Sequence, residues 1–211
     1  MQITEPVTML TDYALGLLTL LWATRLFERN DGDRPLSRTL WALGFIATSA
    51  ASFLGGSFHG FRSYLTESAA TVLWKTTLYS IGIASWVILS AIVVACAESR
   101  WRRSFLIVAA AKFLLFALWM TGHSEFRYVI YDYVLSMVAI LVVQSYTWFS
   151  RQSRTSAWII SGILVGFLAA AMQNSRYSIH AYFNHNDLFH VVQMVGFYLL
   201  YRGGQLLRDS Q

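Results

Sequence analysis

Seven apolar runs of roughly 15 to 29 residues follow one another along this chain, each about long enough for a helix to cross a bilayer core. Only short polar loops separate them. No other feature limits the fold as strongly, because a backbone placed in hydrocarbon must satisfy its own hydrogen bonds and does so as helices or as a closed barrel. The runs fall at about 7–27, 39–58, 69–97, 105–121, 128–149, 158–172 and 183–201, too long for barrel strands. The sequence therefore predicts an all-α fold, a seven-transmembrane-helix bundle forming one membrane domain over residues 1–211, with no room for a soluble domain. Charge agrees: 13% of residues are charged, against about 25% in soluble domains. The first run has acids before it and arginines after it, which predicts a retained first helix and no cleaved signal peptide. One cysteine, Cys96, excludes an internal disulfide and a cysteine-based zinc site.

Basic residues set the expected orientation. The first loop (with Arg29, Asp31, Asp33, Arg34 and Pro35), the third and fifth loops, the helix ends beside them and the C-terminal tail hold Arg25, Arg29, Arg34, Arg38, Arg100, Arg102, Arg103, Arg151, Arg154, Arg202 and Arg208. The opposite loops hold only Arg62, Arg127 and Arg176. By the positive-inside rule this predicts the N-terminus outside and the C-terminus cytoplasmic. The net charge of +5 is thus sorted by loop rather than gathered into a stripe, so no nucleic-acid partner is expected. Trp22, Trp41, Trp101, Trp148 and Trp158 stand near the cytoplasmic ends of their runs, where interfacial anchors are expected.

All five histidines (His59, His123, His180, His185 and His190) fall at the opposite, outer end. Asp12, Lys75 and Asp132 each lie a few residues into a run from that end, roughly 6–9 Å deep at 1.5 Å per residue. Ionisable groups at such depth face the bundle interior and pair, so one outward-opening polar chamber is expected, lined by segments one, two, three, five and seven. Lys112, nearer mid-membrane, has no place in it. In the last segment Asn186 and Asp187 stand one turn before His190 on its helical face. A carboxylate and imidazoles suit zinc, and three protein ligands plus water make a hydrolytic site. The candidate metal ligands are His59, His190 and Asp187, with His185 joining only if the helix starts after it. Lys75, Asp132, Ser57 and Asp12 are the candidate groups to polarise a carbonyl or orient water. The plainer readings are an N-cap at Asn186 or Asp187, an Asp12–Lys75 ion pair, structural roles for His123 and His180, and close helix packing at Gly55-Gly56.

Phe58-His59 resembles the Phe-His of alkaline ceramidases, and Asn186-Asp187-Leu188-Phe189-His190 resembles the His-Gln-Leu-Phe-His of the adiponectin/progestin-type receptors. Both belong, with the haemolysin III-like proteins, to the CREST superfamily of seven-helix membrane proteins. Many of these are zinc-dependent amide hydrolases acting on lipids such as ceramide. The resemblance covers the seven-helix layout, with specific motifs over about ten residues. Gly55 stands where that superfamily has serine, Asn186 stands where it has the first histidine of the last pair, and no aspartate follows His59 into segment three. What the resemblance implies is a zinc-dependent hydrolase of a membrane-lipid amide or ester; the other reading is a non-catalytic receptor-like binder or carrier using the same chamber. Segment seven contains no lysine, which argues against a retinal-type photoreceptor.

Overall fold

The computed structural model describes residues 3–29, 34–176, 178–180 and 183–210; Asp31 and Asp33 lie outside the described residues. The described residues are all-α, with seven helices: α1 (Pro6–Glu28), α2 (Leu36–Phe61), α3 (Glu67–Cys96), α4 (Ser99–Gly122), α5 (Phe126–Arg151), α6 (Arg154–Ser175) and α7 (His185–Gly204). A 3₁₀ turn (Arg62–Tyr64) links α2 to α3. Local signals set the ends. Pro6 opens α1, where a missing N–H costs nothing. Thr66 and Ser153 side chains cap α3 and α6, and α5 and α6 stop at Gln152 and Arg176 in the left-handed conformation.

Among the described residues six helices, α1 to α6, are long and apolar enough to cross a membrane. Helix α7 falls short of that measure because its 20 residues include His185, Asn186, Asp187, His190, Gln193 and Arg202. Large apolar side chains on the outside, such as Leu115 and Leu118, are two-thirds exposed or more, as a lipid-facing surface requires.

Helix α1 packs on α2 and α7, α2 on α3, α3 on α5, α5 on α6 and α6 on α7. These contacts close a six-helix ring, and α4 lies outside it against α3. Close approach within the ring depends on glycine: a Cβ on Gly162 would stand 3.0 Å from the Gly196 carbonyl across the α6–α7 contact. Trp41, Phe45, Ile88, Ile140 and Ile159 fill the arginine-rich half of the ring. Two of the expected interfacial tryptophans belong to this core. Trp41 is fully buried and donates to the Leu200 carbonyl, and Trp22 stacks on Tyr201. Their positions near helix ends match the expectation, but the sides on which they project do not.

Candidate functional site

The first two turns of α1 carry a polar stripe. Thr8, Thr11 and Asp12 share a face three and four residues apart, and Glu5 precedes them by one turn. This stripe meets the start of α7. There the Asn184 side chain accepts from the Asn186 and Asp187 backbone amides, while Asp187 Oδ2 accepts from the Asn184 amide at 2.7 Å, a reciprocal capping box. Asn184 is thus the N-cap, and Asp187 is the residue reaching back to it. Thr8 Oγ1 donates to the other oxygen, Asp187 Oδ1, at 2.8 Å. One turn on, His190 is buried with Nε2 3.2 Å from Asp12 Oδ1 and Nδ1 3.0 Å from Thr11 Oγ1.

These contacts account for every lone pair on the His190 ring. Thr11 has one hydroxyl proton, and its oxygen also lies 3.0 Å from the Thr8 carbonyl. If Thr11 donates to Thr8, it accepts from His190 Nδ1; if it donates to Nδ1, then Nε2 carries the ring proton. In either arrangement one proton lies between Nε2 and the Asp12 carboxyl. His59, at the end of α2, places Nδ1 3.2 Å from Glu5 Oε2. The segment before α1 crosses that end, with the Thr4 and Glu5 amides donating to the Gly60 and His59 carbonyls. This satisfies two of the orphan acceptors at the helix terminus.

Zinc needs three or four donors converging on one point at about 2.0–2.2 Å. Here both His190 nitrogens and both Asp187 oxygens have protein partners, and His59 is turned toward Glu5. Among the described residues no group of three or more His, Cys, Asp or Glu is placed to hold a metal ion. The donor set in this arrangement does not fit zinc. His185 is the first residue of α7, so the helix does not start after it. Five residues from His190, it lies about 140° round the helix.

The single expected chamber is divided. Lys75 does not pair with Asp12; its Nζ donates to the Met120 and Thr121 carbonyls and caps α4. Asp132 faces α4, where Lys112 Nζ lies 2.6 Å from its Oδ1 and also donates to Ser85 Oγ. The mid-membrane lysine without an assigned place is therefore the counter-charge to Asp132. Ser57 donates to the Phe53 carbonyl and receives the Tyr13 hydroxyl at 2.9 Å. His123 stacks on Trp119. Gly55-Gly56 brings α1 and α2 together at the site: a Cβ on Gly56 would stand 2.9 Å from the Asp12 Cβ.

Sequence reasoning passed over Glu5, Thr8, Thr11, Tyr13 and Asn184. The one-turn spacing of Glu5, Thr8 and Asp12, and the Asn-x-x-Asp capping signature at Asn184, are the signals that point to most of them. Beside the cluster lies a mostly apolar cavity of about 130 Å³ inside the ring. Its wall includes Leu15, three residues after Asp12, and Gln193, three after His190, together with Ser52, Tyr133, Phe167 and Phe189.

No curated protein and no solved structure matches the chain. A family model described as a family of unknown function, DUF6962, matches residues 7–209, a span that takes in all seven helices apart from the first residue of α1, and the whole polar cluster except Glu5. The chain belongs to that family.

Proposed function

We propose that this protein is a seven-span membrane binder or carrier of an amphiphile, whose apolar chain enters the ring cavity and whose polar head meets the His190–Asp12 end. One observation carries this reading. The histidine and carboxylate groups that would make a hydrolytic metal site are satisfied by one another and by threonines, next to an apolar cavity. Binding pockets commonly pair an apolar wall with a few placed polar groups, here Gln193, Ser52 and the cluster above them. In this reading α7 also spans, with its polar groups neutralised against α1. The arginine distribution supports an N-terminus outside and a cytoplasmic C-terminus.

Metal analysis and lipid mass spectrometry on detergent-purified protein, wild type beside His190→Ala and Ala170→Trp, test the proposal. The expected result is less than about one zinc in ten chains, with a co-purified amphiphile lost from Ala170→Trp, which fills the cavity wall. About one zinc per chain, lost in His190→Ala, with release of fatty acid from ceramide, would overturn it. That result would instead establish the zinc-dependent lipid hydrolase implied by the CREST resemblance.

A further inference from the structure

At the arginine-rich end, far from the histidines, α3, α4 and α5 spread apart. Phe116, Met120, Leu78 and Val129 hold α4 to its neighbours toward the histidine end. On the other side of Lys112, no comparable cluster of buried residues ties α4 to α5 among the described residues. The gap is an apolar groove of about 370 Å³, walled by Ile92 and Cys96 of α3, Phe105 and Val108 of α4, and Ala139 and Val143 of α5. A groove in this position opens to the acyl chains of the bilayer.

A second, polar cavity of about 170 Å³ adjoins it, and Cys96 lines both. The polar cavity is walled by Gln144 and Thr147 of α5, by Ser153, Thr155 and Ser156 at the start of α6, and by Arg208 of the C-terminal tail. Several of these groups are already arranged: Ser156 donates to Gln144 Oε1 at 2.7 Å, and the Ser153 hydroxyl caps α6. Arg151 ends α5 one turn after Thr147, on the same helical face. Arg103, Arg151, Arg154 and Arg208 have no ion-pair partner among the described residues. The nearby acids are committed elsewhere, Glu98 to Arg100 and Asp209 to the start of α2. Arg102 donates to Ser210, and its Nε is buried without a partner.

We propose that this pair of cavities is a binding site for one anionic phospholipid, with an acyl chain in the α3–α4–α5 groove and the headgroup phosphate in the polar cavity beside Arg208, where the flanking helix ends bring Arg151 of α5 and Arg154 of α6. The occupant follows from the two halves taken together. The groove takes a hydrocarbon chain, and guanidiniums without an ion-pair partner among the described residues, beside hydroxyls, take a phosphate, which arginine binds bidentately. Basic pockets at the end of a helical bundle attract anionic headgroups for the same reason. The site is separate from the His190–Asp12 cluster and stands whichever reading of that cluster holds.

Native mass spectrometry of the detergent-purified protein, titrated with dioleoyl phosphatidylglycerol or dioleoyl phosphatidylcholine, tests the proposal. One phosphatidylglycerol is expected to bind at a concentration at least tenfold below that needed for phosphatidylcholine. The triple variant Arg151→Gln/Arg154→Gln/Arg208→Gln, all three positions exposed, is expected to lose that preference. Val143→Trp, which fills the groove, is expected to weaken binding of the same lipid tenfold or more, whereas Leu118→Trp on another exposed face of α4 leaves it unchanged. Equal binding of the two lipids, an unaltered preference in the triple variant, or unaltered binding in Val143→Trp would overturn the site. Full displacement by soluble glycerol phosphate would overturn the lipid as its occupant and leave a free phosphate instead. Native-like melting of each variant is the control for folding.

Discussion

Replacing Lys112 alone, or Asp132 alone, is expected to destabilise the protein far more than replacing both. The pair is 2.6 Å apart with side chains 15% and 5% exposed. Asp132 Oδ2 already lacks a hydrogen-bond partner, so Lys112→Met would leave a buried carboxylate with no counter-charge. Asp132→Leu would leave the ammonium with only the Ser85 hydroxyl and the residue 132 carbonyl. Removing one member of a buried pair costs about 3–5 kcal/mol, whereas replacing both by apolar groups of similar volume is about neutral. The cost should appear first as release of α4, because that helix lies outside the ring and this pair ties it to α5, the neighbour it touches least. Thermal melts of the four proteins in detergent give the cycle, and hydrogen exchange over residues 99–122 locates the loss. Interhelical hydrogen bonds in membrane proteins average about 0.6 kcal/mol. Single variants each costing no more than that, or a double variant costing their sum, would refute the assignment of Lys112–Asp132 as a coupled charge pair.

Three further outcomes follow from the packing and the tail. Gly56→Leu is expected to cost about 1–3 kcal/mol by forcing α1 away from α2, since even a Cβ there would stand 2.8 Å from the Tyr13 ring. Gly55→Ala meets nothing closer than 3.5 Å and should melt within a few degrees of wild type. Thr8→Val removes the donor to the buried Asp187 Oδ1 and is expected to cost about 1–3 kcal/mol. Thr24→Val, at an exposed hydroxyl bonded only within its own helix, should stay within about 0.5 kcal/mol of wild type in the same melt. Asp209 accepts the Leu36 and Ser37 amides at 2.8 Å each. Burial pushes its carboxyl up, but hydrogen bonds from Ser37 and Leu36, with Arg102 nearby, outweigh that and hold it below the usual carboxylate range. Its folded form therefore binds fewer protons than its unfolded form. Its contribution is complete above the unfolded value of about 4 and fades as pH falls through the lower folded value. The melting difference between wild type and Asp209→Asn should shrink below about pH 4; a constant difference would refute the tail's role as an anionic cap.

The seven helices were legible because run length and turn signals act locally, and each predicted segment lies on one helix to within a few residues at most ends. Position along each helix was also legible. Asp12, His59 and His190 were all placed at one end, and the structure brings Asp12 and His190 together there. What spacing does not encode is the side of the helix that faces inward, which packing between helices decides. Lys75 and Lys112 illustrate this. Both are lysines inside apolar runs, yet one turns to the C-terminal carbonyls of α4 and the other to Asp132. Trp22 and Trp41 sit near helix ends as anchors would, and both turn into the core.

The same distinction governs the functional reading. Histidine and aspartate one turn apart suggest a metal because of the donors they can offer, but an offered donor matters only while its lone pair is free. On α7 the pattern His190 with Asp187 is accompanied by Asn184 three residues earlier, and on α1 by Thr8, Thr11 and Asp12 at matching heights. Those four residues put one partner on each of the two oxygens and two ring nitrogens and turn them toward α1 and the N-cap. A sequence test for ligation therefore has to count the competitors one turn away on the facing helix as well as the ligands. In this chain the competitors number as many as the donor atoms, and the network they form closes on itself beside an apolar cavity.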